Sequence, residues 1–246
     1  MTVAAARAKA SLPGRCIVLA DAEILVRHAA AWLLNRVLST PGRIAVCVAG
    51  GETPRPVYEL LAHSPYRDCF PWDQVHWFWG DERCVPPDHP RSNFAMVRAA
   101  LLDHVPVPST KIHPIPANQQ PERAAAMYES ELKRFYGANA LAPDRPLFTA
   151  TLLGVGTNGH TASLFPGSGA LRESTHWAAA VPEATPEPRV TLTYPALDSS
   201  AAVAFLASGA AKRPILDRLA RGDDLPVAHI HPVGSTTWLL DRDAAP

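Results

Sequence analysis

The sequence has no excess of either charge. Its 246 residues hold 23 Lys and Arg against 23 Asp and Glu, so the formal net charge is zero. That excludes the broad basic face of a nucleic-acid binder and a polybasic membrane patch. Any anion site must be built locally, from a few placed cations. No apolar run approaches the roughly 18 residues that suggest a membrane span. The opening "MTVAAARAKASLPGR" has small residues but no continuous apolar stretch after its charges, so it lacks a secretory-signal pattern. Cysteine is scarce, and Cys16, Cys47, Cys69 and Cys84 form no CxxC pair. Cys47 lies in an apolar run and reads as a plain buried thiol. A reducing, cytoplasmic setting is the expectation. A zinc set drawn from Cys69, His76, Cys84 and His89 matches no familiar ligand spacing. Internal repeats are also lacking.

What is present is alternation. "CIVLA" (16–20) is a short strand candidate. Asp21 can cap a helix running to about Leu38, with Ile24, Leu25, His28, Trp32 and Leu33 near helical spacing. "RIAVCVAG" is a buried strand ending in glycine, and a helix follows from near Thr53. "VHWFW" is a third strand, and "SNFAMVRAALL" a helix from near Ser92. "PERAAAMYESELKRFYG" is a helix with Pro121 at its start and Gly137 as its stop. "LFTATLLG" is a strand and "RVTLTYPAL" shows β-branched alternation. "AAVAFLAS" is a strand, "KRPILDRLA" a short helix and "TTWLL" a last strand. His229 and His231 alternate on an expected strand, as packing or surface residues. The 25 prolines gather in connections such as "VPPDHP" and "VPVPSTKIHPIP", which read as stiff loops because periodic segments resume on both sides. The order implies an α/β fold: an open, mostly parallel, Rossmann-like sheet with helices on both faces, in a single domain spanning 1–246. Ligands of such sheets bind beyond the carboxyl ends of the strands. Function is therefore expected in the loops after Val48, Trp79, Leu153 and Leu206.

Those loops carry chemistry. In "AGGETP", Gly50 and Gly51 feed a helix start that Thr53 can cap, and the free N–H groups there suit an anion. The same loop would serve as a plain tight turn. In "WGDERCVPPDHPRSNF", Arg83 could hold a phosphate with its planar fork, and Asp81 could meet a sugar hydroxyl or move a proton. A solvated charge cluster is the plainer alternative. "GVGTNGHTASLFPG" places His160 between Gly159 and Thr161, on a backbone that turns sharply off a strand. A histidine titrating near neutrality is the usual general base. In "ASGAAKRPIL", Ser208 and Gly209 lead to a helix start. Pro214 delays regular helix to about Lys212, which becomes a phosphate candidate or a surface lysine. Arg189 opens "RVTLTYPAL" as an anchor or an edge-strand charge. Each loop alone is ambiguous. Together they describe a site for a small phosphorylated molecule with a base beside it.

The stretches "GGETP", "DERCVPPDHPRSNF", "LLGVGTNGHTASLFPG", "RVTLTYPAL" and "SGAAKRPIL" resemble the 6-phosphogluconolactonase family in content and order, from about Val46 to Leu216. "GHTASLFPG" is the most specific of them, and the closing "GSTTWLLD" also fits. The resemblance implies hydrolysis of 6-phospho-D-glucono-1,5-lactone to 6-phosphogluconate, with neither metal nor organic cofactor. It implies His160 as general base, Arg83, Arg189 and Lys212 as substrate anchors, and Gly50, Gly51 and Thr53 as a binding loop, with Asp81 near the sugar. Asn158 stands where the family often has Asp. A neutral amide cannot raise an imidazole's basicity by charge, which leaves that task to Asp81 or leaves Asn158 to shape the turn. The catalytic candidates are thus His160, Asp81 and Asn158. Expected partners are a sugar-phosphate substrate and, at most, a few copies of the same chain: monomer or small homo-oligomer, no nucleic acid, no membrane. Related amino-sugar-phosphate deaminases share the glycine loop but continue the "GH" loop with an "IAFNEP"-like segment that this chain lacks. A non-catalytic sugar-phosphate sensor on the same fold is the remaining alternative.

Overall fold

The computed structural model describes residues 11–246. Residues 1–10, most of the stretch weighed above for a secretory pattern, lie outside the described residues. The strands are β1 (Arg15–Leu19), β2 (Ile44–Val48), β3 (Val75–Trp79), β4 (Asp81–Arg83), β5 (Ile112–His113), β6 (Ala150–Gly154), β7 (Ala178–Val181), β8 (Arg189–Leu192), β9 (Ala202–Ala207) and β10 (Ser235–Asp241). The helices are α1 (Ala22–Leu38), α2 (Arg55–Leu61), α3 (Tyr66–Cys69), α4 (Asn93–Ala100), α5 (Pro121–Tyr136), α6 (Tyr194–Asp198) and α7 (Arg213–Ala220).

Seven strands pair in the order β1-β10-β9-β6-β2-β3-β5, and every pairing is parallel. The expected open parallel sheet is therefore present. Every residue of β2 and of β9 is buried. Such strands need cover on both faces, which the flanking helices give. Antiparallel pairing of β4, β8 and β7 makes a second, small sheet, of which only β8 carried a strand pattern in the sequence. Gly80 alone joins β3 of the large sheet to β4 of the small one.

Local signals mostly held. Asp21 caps α1, its side chain accepting from the Ile24 N–H at 2.8 Å. The buried stripe of α1 is Leu25, Ala29, Leu33 and Val37; Ile24 is exposed, so the apolar face sits one residue later than Ile24, His28 and Trp32 suggest. Ser92 caps α4 through the Ala95 N–H at 3.1 Å. Gly137 ends α5 with φ +79, a left-handed angle that suits glycine. Lys212 stands directly before α7, close to the expected start.

Some details differ. Thr53 does not cap α2. Residues 52–54 form a turn and Pro54 already holds helical angles, so no extended residue stands ahead of the helix to cap it. In "LFTATLLG" the strand begins only at Ala150, while Phe148 makes an isolated bridge to Ser200. "RVTLTYPAL" divides into β8 and α6, broken where Pro195 enters the helix's first turn. His229 and His231 lie on no strand. His229 closes a 3₁₀ turn begun by Pro226 and bonds Asp224 at 2.5 Å, and prolines on either side deny ladder donors. No helix among the described residues is long and apolar enough to cross a membrane.

Candidate active site

The loops that follow β2, β6 and β9 open into one cleft of about 460 Å³, which the small sheet closes from the side. Gly50, Gly51 and Thr53 line it, as do Asp81, Arg83, His160, Arg189 and Lys212. Of the sequence candidates, only Asn158 does not line it. Asn158 stands behind the histidine and borders a neighbouring hollow instead.

The loop after β6 is built to hold a ring. The Gly156 N–H donates to the His160 carbonyl at 2.8 Å, and the Gly159 N–H to the Gly156 carbonyl at 2.9 Å. Thr161 Oγ1 donates to the Gly154 carbonyl at 2.9 Å, tying the loop back to its own strand. Gly156 leaves the space that the imidazole fills: a Cβ there would lie 2.0 Å from His160 Nδ1. Asn158 Oδ1 accepts from the His160 backbone N–H at 3.2 Å and from ring Nδ1 at 2.5 Å. An amide oxygen only accepts, so Nδ1 carries the proton and Nε2 keeps its lone pair. No hydrogen bond among the described residues takes up Nε2. Phe165 packs on the ring with centroids 4.6 Å apart. Burial lowers the His160 pKa from its ordinary value. The Asp81 charge pulls it up, and Arg189 and Lys212 push it down. The net result is a neutral imidazole at neutral pH with one nitrogen free to take a proton. Ala162, at the cleft wall, holds φ 47, an angle a side chain rarely adopts and one that accompanies functional loops.

"DER" is not a solvated charge cluster, because Asp81 is 7% and Glu82 2% exposed. Ser163 Oγ donates to Asp81 Oδ2 at 2.5 Å. The Asn93 amide donates to the Asp81 carbonyl at 2.9 Å and to Oδ1 at 3.3 Å. Arg189 stands 3.8 Å away. Three segments thus converge on one carboxylate. Glu82 has a different task. It accepts from the N–H groups of Arg83, Asn93 and Phe94 and from the Ser92 hydroxyl, bracing the first turn of α4. Asn93 also explains Gly50, since a Cβ on Gly50 would lie 1.9 Å from Asn93 Oδ1. Of the residues that brace the site, Asn93 was not singled out in the sequence; Ser163 and Gly156 lie in the loop already read as turning sharply off its strand, and the structure adds their contacts to Asp81 and the imidazole. The available signal for Asn93 was its place inside "RSNF", next to Ser92.

Arg83 and Lys212 make no ion pair among the described residues, and Arg189 meets Asp81 only at 3.8 Å. Arg83 and Arg189 are directly opposite each other in the β4–β8 register. Like charges so placed are unfavourable unless something neutralises them. Arg83 Nη1 donates to the Arg91 carbonyl at 2.6 Å, and the Arg189 guanidinium lies over Phe165 at 5.7 Å. Both Nε–H groups are buried without an acceptor among the described residues. Burial lowers the Arg189 pKa, Asp81 raises it and Arg83 lowers it again. Lys212 Nζ donates to the Val155 carbonyl at 2.7 Å, and burial lowers its pKa too. The N–H groups of Gly50, Gly51 and Thr53 find no protein acceptor among the described residues. Gly51 takes φ +100, which lets successive N–H groups turn toward one point. The arrangement suits an anion beside a ring nitrogen that can take a proton, in a chain with no net charge.

His76, weighed above as a zinc ligand, joins a different cluster: Nδ1 bonds His113 Nε2 at 2.8 Å, and Lys111 Nζ meets His76 Nε2 at 2.9 Å. Among the described residues, no group of three or more His, Cys, Asp or Glu side chains could hold a metal ion.

A family model described as glucosamine-6-phosphate isomerases/6-phosphogluconolactonase matches residues 20–238. The chain belongs to that family. Among its members, a 6-phosphogluconolactonase of Nostoc sp. is 39% identical over 235 residues, covering 92% of this chain and 95% of the relative. One of Mycobacterium tuberculosis is 36% identical over 243 residues, covering 93% and 96%. The crystal structure of 6-phosphogluconolactonase from Thermotoga maritima superposes with a TM-score of 0.80 at 30% identity, covering 93% and 99%. The glucosamine-6-phosphate isomerase/6-phosphogluconolactonase family thus accounts for the parallel sheet and for the position of the cleft at its carboxyl edge.

Proposed function

We propose that the chain hydrolyses 6-phospho-D-glucono-1,5-lactone to 6-phosphogluconate, in a cytoplasmic setting and without a cofactor. The relatives named above support this assignment, and one observation carries it. A neutral imidazole with a free Nε2 faces the same cleft as Arg83, Arg189 and Lys212.

The chemistry follows from that placement. The 6-phosphate meets the guanidinium pair, Lys212 and the open N–H groups of the glycine loop. His160 Nε2 accepts a proton from water as its oxygen attacks the lactone carbonyl. The new oxyanion takes hydrogen bonds from backbone N–H groups. When the carbonyl re-forms, the ring C–O bond breaks and the imidazolium returns its proton to the departing ring oxygen. The product acid then releases a proton to solvent. No oxidation state changes, so the reaction calls for no redox group. Asp81 is held by Ser163, Asn93 and Arg189, which suits a fixed charge better than a mobile acid. It supplies the negative field that steadies the imidazolium, and Asn158 fixes the tautomer. We further propose that the whole chain acts as one domain, as a monomer or small homo-oligomer, with no nucleic acid or membrane partner.

The test is direct. Purified protein is added to freshly made phospholactone at slightly acid pH, where spontaneous hydrolysis is slow, and acid release is followed. Rapid release above the blank is expected. Release at the blank rate, or ammonia release from glucosamine 6-phosphate, would remove the assignment.

A further inference from the structure

Two buried tyrosines end their side chains on backbone. Tyr58, on α2, accepts from the Ala49 N–H at 3.0 Å and donates to the Ala49 carbonyl at 2.8 Å. Tyr128, on α5, treats Trp79 in the same way, at 2.9 Å from N–H and 2.9 Å to the carbonyl. Both side chains are fully buried. Each hydroxyl clasps both polar groups of one residue, and each clasped residue is the last before a glycine, Gly50 or Gly80. These are the points where β2 and β3 leave the sheet and enter the cleft.

The sheet leaves Ala49 without a strand partner and Trp79 with one on its β2 side alone. β5 is only two residues long and pairs with Trp77 and Phe78, so nothing in the ladder reaches Trp79 on that side. Ala49 lies one residue past the last paired position of β2. A buried peptide group needs a partner. A hydroxyl can donate and accept at once, so it can stand in for one residue of a missing strand. Tyr58 does more. Its bond to Ala49, nine positions earlier, closes a loop that contains Gly50, Gly51 and Thr53. A glycine pair has wide backbone freedom, so its direction is set by what holds its ends.

We propose that Tyr58 and Tyr128 are positioning residues for the reaction above. Tyr58 sets the direction of the Gly50–Thr53 loop. Tyr128 sets the exit of the segment that carries Asp81 and Arg83. The inference rests on the proposed function for its catalytic consequence, but not for the clasp itself.

The chain contains its own control. Tyr136 is also buried, and its hydroxyl also bridges backbone, accepting from Ala142 N–H at 2.9 Å and donating to the Arg145 carbonyl at 2.7 Å. It does so at the end of α5, and neither it nor the residues it bridges line the cleft. Tyr58→Phe, Tyr128→Phe and Tyr136→Phe each remove one hydroxyl with the same pair of bonds. All three should lower Tm. Hydrogen exchange should quicken over residues 49–54 in the first and 79–83 in the second, and in neither segment in the third. Small misplacements of a reacting group cost up to about 100-fold, so kcat/KM should fall about tenfold or more in Tyr58→Phe and Tyr128→Phe. It should stay within about twofold in Tyr136→Phe, which touches no group in the cleft. In Tyr58→Phe the loss should fall mainly on KM, because the loop it aims is an anion loop.

The proposal is overturned if all three variants lose Tm alike while exchange and kcat/KM at the site stay at wild-type values. It is equally overturned if Tyr136→Phe loses as much kcat/KM as the others. If one variant fails to fold, the other against Tyr136→Phe decides. Wild-type protein inert toward phospholactone would count against the proposed function, and the exchange comparison would then judge the clasps alone.

Discussion

Asn158→Asp isolates the role of charge at the base. The side chain keeps its size and its contact to Nδ1, now 2.5 Å from amide oxygen to ring nitrogen. Only the charge is added. Opposite charges about 4 Å apart attract by about 1 kcal/mol in water and about 4 kcal/mol at an effective dielectric of 20. Asn158 is exposed, so the weaker end of that range applies. One pKa step corresponds to about 1.4 kcal/mol, so the imidazole should gain about one unit. The sign follows from the mechanism. His160 works as a base only when neutral, and burial holds its pKa below the ordinary value. Activity is therefore lost as pH falls through that lowered pKa. In Asn158→Asp the loss should set in at a pH about one unit higher. The assay is kcat/KM for phospholactone hydrolysis across the acid range, with blank rates subtracted. An acidic limb that stays in place, or moves down, would refute His160 as the titrating base or Asn158 as its partner.

His160→Ala should lower kcat by about 10²–10⁴-fold, the usual worth of a general base, while 6-phosphogluconate binding by calorimetry changes little. Arg83→Ala should raise KM with a smaller change in kcat, and it should also weaken competitive inhibition by inorganic phosphate. Gly50→Ala should be far more damaging than a surface glycine change, because the new Cβ would lie 1.9 Å from Asn93 Oδ1. Asn93 would have to release Asp81, so kcat/KM is the measurement to watch. Away from the site, burial lowers the His76 pKa to about 4, with Lys111 and His113 adding to the effect. The folded state favours the neutral ring, so stability is complete above about pH 6.5 and declines toward pH 4. Urea midpoints should fall over that window in the wild type and less steeply in His76→Gln.

The sheet was legible because its strands are short apolar runs set between capped helices. Asp21, Ser92 and Gly137 act locally, and a local signal survives in sequence. The small sheet was not legible. Strands of three and four residues such as "DER" and "AAAV" carry no period; "DER" meets Arg189 and its neighbours just past Gly80, and "AAAV" pairs with the other edge of that strand. His160 and the three cations could be found because strand-end loops are where such sheets bind ligands. The contacts of Asn93 and Ser163 to Asp81 could not, because they join residues 12 and 82 positions apart. Thr53 was misread for the opposite reason: a good capping residue stands next to a proline that takes the position first.

The division of the cleft between two sheets has a consequence for how such an enzyme can change. The guanidinium pair and Asp81 ride on the small antiparallel sheet. The histidine loop and the glycine loop hang from the large parallel one. Gly80 is the only covalent joint between β3 and β4. Under the proposed function, the guanidinium part of the phosphate grip therefore sits on the small sheet, while the base, the glycine loop and Lys212 share the large one. A change confined to the loop after β6 would alter the base and leave the guanidinium pair in place. A family whose description joins an isomerase to a lactonase is what such a partition would leave behind.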